Sequence, residues 1–400
     1  MIAPRHVAAL AAFTALAACA GHEPAAPDTG LPPLPCAARL GGAPGSTVLF
    51  TGVVYNMGYF PRLEWSADAR TLFVNAADGD VCARFVTPTT VPSLVSLSVA
   101  THDARPVIPF AGETSAAVPT AGGRAVLYFT PVEKVNGQDV YGLVRVWFAG
   151  TADTLLRGVP RPLTVGVDTA ARAVVLVAPG VRLSVRDMLP DTLVTLDVAT
   201  GRRRAVAPLN AVGTGVVSVA PDGSAAIVGT LAGRTPVPGA ASALVVRLAD
   251  GARVGTLPGT DPIAAIHWRA GGVDVLTAGT DTPASPTFDV VHVPEGTHAR
   301  VARLQGPTYP GALDWLADGT LLAWEERVDA EPWRPTVSPP DDGLAHVVGA
   351  LRQFAPGDTS GREILRGTFD FLPYQVRVSP DRSRIAFATG SFVATTGRSD

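Results

Sequence analysis

One local pattern recurs along this chain and constrains its fold more than any other feature. An apolar stretch runs into a tight turn, and a second apolar stretch runs out. Three copies are clear: LEWSADARTLFV (63–74), LDWLADGTLLAW (313–324) and VRVSPDRSRIAF (376–387). A fourth is VSVAPDGSAAIVG (217–229), and a fifth, IHWRAGGVDVLTA (266–278), keeps the apolar frame with Gly271 in place of the acid. Two weaker copies occupy 117–129 and 165–177. The turn positions are Asp68, Gly122, Ala170, Asp222, Gly271, Asp318 and Asp381, spaced by 54, 48, 52, 49, 47 and 63 residues. A period near fifty fits four short strands with their loops, which is the size of a propeller blade. The expected class is therefore all-β: a β-propeller of seven four-stranded blades. Six or eight blades are the alternatives, since the weak copies carry the count.

Each copy has consistent physics. Leu63 and Trp65, Leu313 and Trp315, and Val376 and Val378 are apolar, while Glu64, Asp314 and Arg377 lie between them. His267, between Ile266 and Trp268, occupies the same slot. Such period-two alternation gives a strand one buried face and one polar face. The return strand is apolar throughout, as in Leu72-Phe73-Val74 and Ile385-Ala386-Phe387, which suits the middle of a sheet held between neighbours. A second kind of hairpin lies between the copies, at 141–159, 192–209, 242–259 and 288–305. These are more polar and read as the outer strands of each blade. The 41 Gly and 36 Pro are spread along the chain, as many short strands and turns require.

The last copy raises a closure problem. Only thirteen residues follow Phe387, too few for a full outer pair. The segment Ser46–Val54 reads as a strand without a blade of its own. It is expected to pair with the last blade, closing the ring and removing an exposed edge.

Ser379-Pro380-Asp381 with Ile385-Ala386-Phe387, and Ala220-Pro221-Asp222-Gly223, resemble the repeats of WD-repeat-like and TolB-type propellers. The resemblance spans most of 60–390 at the level of single blades. It implies a propeller that binds partners. Gly122, Ala170 and Gly271 depart from it by lacking the acid.

The N-terminus reads as a processing segment. Arg5 and His6 precede the apolar run 7–18, which is too short to span a bilayer comfortably. Leu16-Ala17-Ala18-Cys19 resembles the lipobox of bacterial lipoproteins, which implies cleavage before Cys19 and its lipidation. Ala20, where an Asp would imply inner-membrane retention, leans towards the outer membrane. The expected organisation is a signal peptide at 1–18, a lipidated Cys and Pro-rich tether at 19–40, and the propeller at 41–400. Several acyl chains would hold the protein firmly on a bilayer. The expected location is the bacterial cell envelope, at the outer membrane facing the periplasm or the cell surface. An exported compartment permits a disulfide between Cys36 and Cys82, or leaves two separately buried thiols.

Searches for chemistry return little. There is no Gly-x-Ser-x-Gly elbow, no Cys-x-x-Cys and no His-x-x-x-His, and the single lysine, Lys134, rules out a P-loop. No cofactor or metal is expected, and no catalytic residue is assigned. His292 and His298, with Glu295, flank one outer turn and read as solvated hairpin residues. Trp65, Trp268 and Trp315 share one repeat position and read as packing between blades. The long spacing before Asp381 comes from EERVDAEPWRPTVSPPDDG (325–343), an inserted loop in which Trp333 and Arg334 are candidate partner contacts. Tyr55, Tyr59 and Phe60 form a second aromatic candidate. Net charge is −3, so no general basic field draws nucleic acid. The function expected is a lipid-anchored binding or scaffolding module for an envelope protein or small ligand. The alternative is a propeller hydrolase or lyase with its site at the channel mouth.

Overall fold

The computed structural model describes residues 41–54, 63–79, 88–90, 93–109, 118–119, 125–136, 138–147, 151–159, 164–167, 173–178, 191–209, 216–229, 243–257, 263–279, 286–308, 312–327, 347–369, 372–390 and 392–397. These residues form seven antiparallel sheets around a ring, each built on four strands, which are consecutive in sequence in all but the last. Blade 1 runs Glu64–Trp65, Thr71–Ala77, Ser93–Ser98, Ala104–Pro109; blade 2 runs Val118–Pro119, Ala125–Val135, Gln138–Trp147, Ala152–Val159. Blade 3 runs Thr164–Val167, Ala173–Ala178, Asp191–Asp197, Arg203–Leu209; blade 4 runs Val216–Val219, Ala225–Gly229, Ala243–Arg247, Arg253–Leu257. Blade 5 runs Ile263–Arg269, Gly272–Gly279, Thr287–Val293, Thr297–Arg303; blade 6 runs Leu313–Trp315, Leu321–Glu326, Val347–Phe354, Arg362–Phe369. Blade 7 takes Gln375–Val378, Arg384–Ala388 and Phe392–Gly397 from the C-terminus and its outer strand, Ser46–Thr51, from the N-terminal side. The seven-bladed propeller expected from the repeats is the fold observed.

Alternation explains the apolar return strands. In blade 6, Leu322 and Trp324 pack towards blade 7, while Leu321 and Ala323 pack towards blade 5. In blade 7, Ile385 and Phe387 face blade 6, while Ala386 and Ala388 face blade 1. A strand sandwiched between two blades has no polar face to spare. The buried apolar residues fall into seven clusters, one at each junction between neighbouring blades, including that of blade 7 with blade 1. The junction of blades 6 and 7 is the most aromatic. There the edge of Trp324 meets Phe369 at 5.2 Å and Phe387 at 5.4 Å, and Phe387 meets Phe392 at 6.3 Å.

Antiparallel order sends the first-to-second and third-to-fourth turns of every blade to one face of the ring, here the turn face. The second-to-third connections and the blade-to-blade crossings lie on the opposite, loop face. The turn acids shape the first kind of turn. Asp222 Oδ1 accepts from the Ser224 amide at 3.0 Å, Asp318 Oδ1 from the Thr320 amide at 3.0 Å, and Asp381 Oδ1 from the Ser383 amide at 3.0 Å. Each carboxylate thus bonds the backbone two residues on, the reason an acid is favoured at such a turn.

The expected closing strand is present, with a refinement. Ser46–Thr51 pairs antiparallel with Phe392–Gly397, Ser46 opposite Thr396 and Thr51 opposite Phe392. Val53–Val54 does not continue that pairing. It crosses to blade 1, with Val53 opposite Ala77. Gly52 makes the crossing because a Cβ there would lie 2.5 Å from the Ala77 carbonyl oxygen and 2.7 Å from the Phe50 ring. Upstream, Gly41–Gly42 adds a fifth strand to the outer edge of blade 6, opposite Phe369 and Thr368. The N-terminal segment therefore laces blades 6, 7 and 1. The Tyr374 hydroxyl donates to the Val54 carbonyl at 2.7 Å, and the Leu63 amide donates to Gln375 Oε1 at 2.8 Å.

Candidate functional site

The innermost strands line the channel, and the polar slot four residues before each turn sits between them. Its occupants are spent on neighbouring blades. Asp314 of blade 6 takes bonds from Arg377 Nη1 at 3.2 Å and from the Val378 amide at 2.8 Å, both on blade 7. His267 of blade 5 stacks on Trp315 of blade 6 at 4.1 Å, and its Nε2 lies 2.7 Å from the Trp315 carbonyl oxygen, which fixes the proton on Nε2. Burial pushes the His267 imidazole below its ordinary value, despite the carbonyl and the nearby Asp314, Asp274 and Asp318. Ser218 of blade 4 accepts from Trp268 Nε1 of blade 5 at 2.9 Å. This slot is a belt of cross-blade contacts.

The repeat tryptophans behave alike in part. Trp65 is buried and donates to the Arg377 carbonyl at 3.2 Å, joining blades 1 and 7. Trp315 is buried between blades 5 and 6. Trp268 is only half-buried, because it borders a recess.

That recess lies on the turn face between blades 4 and 5 and holds about 600 Å³. Its walls are Ala225, Val245 and Val254 from blade 4, and Trp268, Val273 and Val293 from blade 5. Asp222 and Ser224 stand on the blade 4 rim. A shorter turn accounts for the opening. Trp268 faces Val273, five residues on, whereas Trp65 faces Leu72, Val219 faces Ala226 and Val378 faces Ile385, each seven on. The blade 5 hairpin closes in two residues, Ala270 and Gly271, with Gly271 at φ 80°. Gly271 is thus the pivot of a shorter turn rather than a substitute for the acid. Between blades 6 and 7 the longer turns meet in an ion pair, Arg382 Nη1 to Asp318 Oδ2 at 2.5 Å. The blade 5 turn offers Asp222 no such partner.

Asp222 and Arg269 are the charged residues that border the recess. Alternation carries Arg269 and Asp274 to the face of blade 5 opposite Trp268 and Val273. There Arg269 Nε bonds Asp274 Oδ1 at 2.7 Å, and its Nη2 bonds Glu295. His292 Nδ1 donates to the same Asp274 oxygen at 2.7 Å. Burial raises Asp274, but these bonds outweigh it and hold the carboxyl below its ordinary value. His292 is thereby a member of a polar cluster rather than a free hairpin residue, while His298 is exposed as expected. Asp222 keeps its charge on the rim. Its carboxylate is held by the Ser224 hydroxyl at 2.7 Å, the main cause of its lowered pKa.

Cys19, Cys36, Cys82, Trp333, Arg334, Tyr55, Tyr59 and Phe60 lie outside the described residues. Among the described residues, no group of three or more His, Cys, Asp or Glu is placed to hold a metal ion. The recess itself was missed from sequence. Its signal was present: the one strong copy lacking the acid.

Comparison with known proteins supports the architecture. An oligogalacturonate lyase in complex with manganese is similar at 13% identity and a TM-score of 0.57, over 90% of this chain and 98% of that chain. A mitotic checkpoint complex chain is similar at 9% identity and a TM-score of 0.50, over 92% of this chain and 98% of that one. TolB from Acinetobacter baumannii aligns at 10% identity and a TM-score of 0.42, over 78% of this chain and 63% of that chain. The first two likenesses support a β-propeller fold. At these identities the likeness is one of fold alone. No family model matches the chain, and no curated protein matches it by sequence.

Proposed function

We propose that this protein is a lipid-anchored binding module of the bacterial envelope, tethered through Cys19 and engaging its ligand or partner with the propeller. The observation that carries the binding role is the recess between blades 4 and 5. It is concave, walled by apolar side chains and of a size that suits a small ligand. The polar groups of the channel belt, by contrast, are engaged with each other across blades 4 to 7. The lipobox-like Leu16-Ala17-Ala18-Cys19 and the Pro-rich 20–35 support the tether. Trp333 and Arg334, with Tyr55, Tyr59 and Phe60, are proposed as further contacts for an envelope protein.

Metabolic labelling with a radioactive fatty acid, joined to affinity capture from envelope fractions, tests this reading. The wild type is expected to take up label and the Cys19→Ser variant none. A chain lacking 326–343 is expected to lose a captured envelope protein that the intact chain retains. Equal labelling of the Cys19→Ser variant would remove the tether, and identical capture by both chains would remove the loop as a contact.

A further inference from the structure

We infer that the recess between blades 4 and 5 takes a small organic cation, a protonated amine carried on an aromatic or aliphatic body. The inference rests on the binding-module reading and adds a ligand class to it.

Three features of the recess point to this chemistry. First, its apolar walls and about 600 Å³ volume match a small organic molecule. Secondly, Trp268 forms one wall in a fixed pose. Its indole N–H is tied to Ser218 Oγ at 2.9 Å, so the ring cannot turn without breaking that bond. A fixed indole is the best side-chain platform for a cation, through the negative face of its ring. Val254, exposed at 43% on the outer strand of blade 4, extends the apolar surface at the rim.

Thirdly, Asp222 differs from the other turn acids. Asp68 has Arg70 close by, Asp318 is paired with Arg382, and Asp381 has Arg384 nearby. Among the described residues, Asp222 is bonded by the Ser224 amide and hydroxyl and by no base. Arg269 also borders the recess, but its guanidinium is held by Asp274 and Glu295. An ionised carboxylate beside an apolar pocket with an indole wall is complementary to a cation on an apolar body. It disfavours an anion of the same shape, and specificity of this kind comes from the repulsive element as much as the attractive one.

The test uses three molecules of one shape and different charge: 2-phenylethylammonium, 2-phenylethanol and 3-phenylpropionate. Each is titrated into the propeller, and the Trp268 indole N–H signal is followed by NMR, identified by its loss in Trp268→Phe. The cation is expected to shift this signal saturably. The alcohol should bind about tenfold more weakly, the scale of one cation–indole contact, and the anion should not shift it. Asp222→Asn keeps an acceptor for the Ser224 amide and should abolish the preference for the cation. Val254→Arg, at an exposed position, should block it by charge. Equal binding of all three molecules overturns the inference, as does a preference that survives Asp222→Asn. An unmoved Trp268 signal at millimolar cation in a folded chain also overturns it. So does a shift produced by a capped Leu-Arg-Leu peptide and not by the free amine, which would assign the recess to a polypeptide. Capture of an envelope partner without any cation preference refutes the ligand class and leaves the binding module standing.

Discussion

Single residues in this propeller work mainly by stitching blades or closing turns, and their protonation follows from those tasks. Asp68, Asp222 and Asp381 are lowered chiefly by the hydroxyls of Ser66, Ser224 and Ser379, and Asp318 by the Thr320 amide. A carboxyl whose folded pKa is depressed contributes stability that is complete above its unfolded value, about 3.9. That stability is lost as pH falls through the folded value. The melting temperature should therefore fall from pH 4 towards pH 2; a flat or rising profile contradicts the turn bonds. His267 adds a separate window. Burial depresses it, so the folded state binds its proton less readily than the unfolded state does. Stability should decline as pH falls below the unfolded value, about 6.5. His267→Phe, which retains an aromatic ring to stack on Trp315, should flatten the profile between pH 7 and 5. A buried pair makes a further single-residue contribution. Glu325 is fully buried and takes the Gln305 amide at 2.6 Å and Arg352 Nη1 at 3.3 Å. Glu325→Ala leaves the Arg352 charge without its partner and should cost about 3–5 kcal/mol in denaturant unfolding. The slot was legible as polar from its alternation, but that its occupants bond across blades was not. The Glu325–Arg352 pair was not, because nothing in a strand reading LLAWEE says which acid turns inwards.

Elements show where a repeat is readable and where it is not. The four outer hairpins at 141–159, 192–209, 242–259 and 288–305 were legible because polar alternation and Gly-containing turns coincide. The blade 5 inner hairpin was misread at its turn. Aligning on apolar positions hides a loss of two residues when a glycine stands in the acid's column. Only the pairing of Trp268 with Val273 exposes it, and with it the recess. The lacing segment was legible as a strand without a blade. Its division at Gly52 was not, because the crossing follows from a close approach to Ala77 more than three hundred residues before its partner strand in blade 7. Gly52→Val should drive a side chain into the Ala77 carbonyl. Amide hydrogen exchange of Arg384–Ala388 and Phe392–Gly397 should then quicken by about tenfold or more as the outer strand detaches. Unchanged protection there would refute the clasp. At the neighbouring junction, Phe387→Ala removes a fully buried ring from the Trp324, Phe369 and Phe392 cluster and should cost about 3–5 kcal/mol.

At the scale of the whole molecule, the ring is a closed sheet stack in which every blade buries both faces and one end is laced by the other. Closure leaves no blade to fray from the C-terminus. The chain enters the described fold at Gly41, on the loop-face end of blade 6, while the recess opens on the turn face. Cross-linking in intact cells tests the proposed binding role of the recess most directly. A photo-cross-linking residue placed at Val254, on the rim of the recess, is compared with one at Val135, equally exposed on blade 2. Mass spectrometry of the protein recovered after irradiation should show a discrete adduct from position 254 and none from 135. No adduct at 254, or the same products from both positions, would contradict a binding role for the recess.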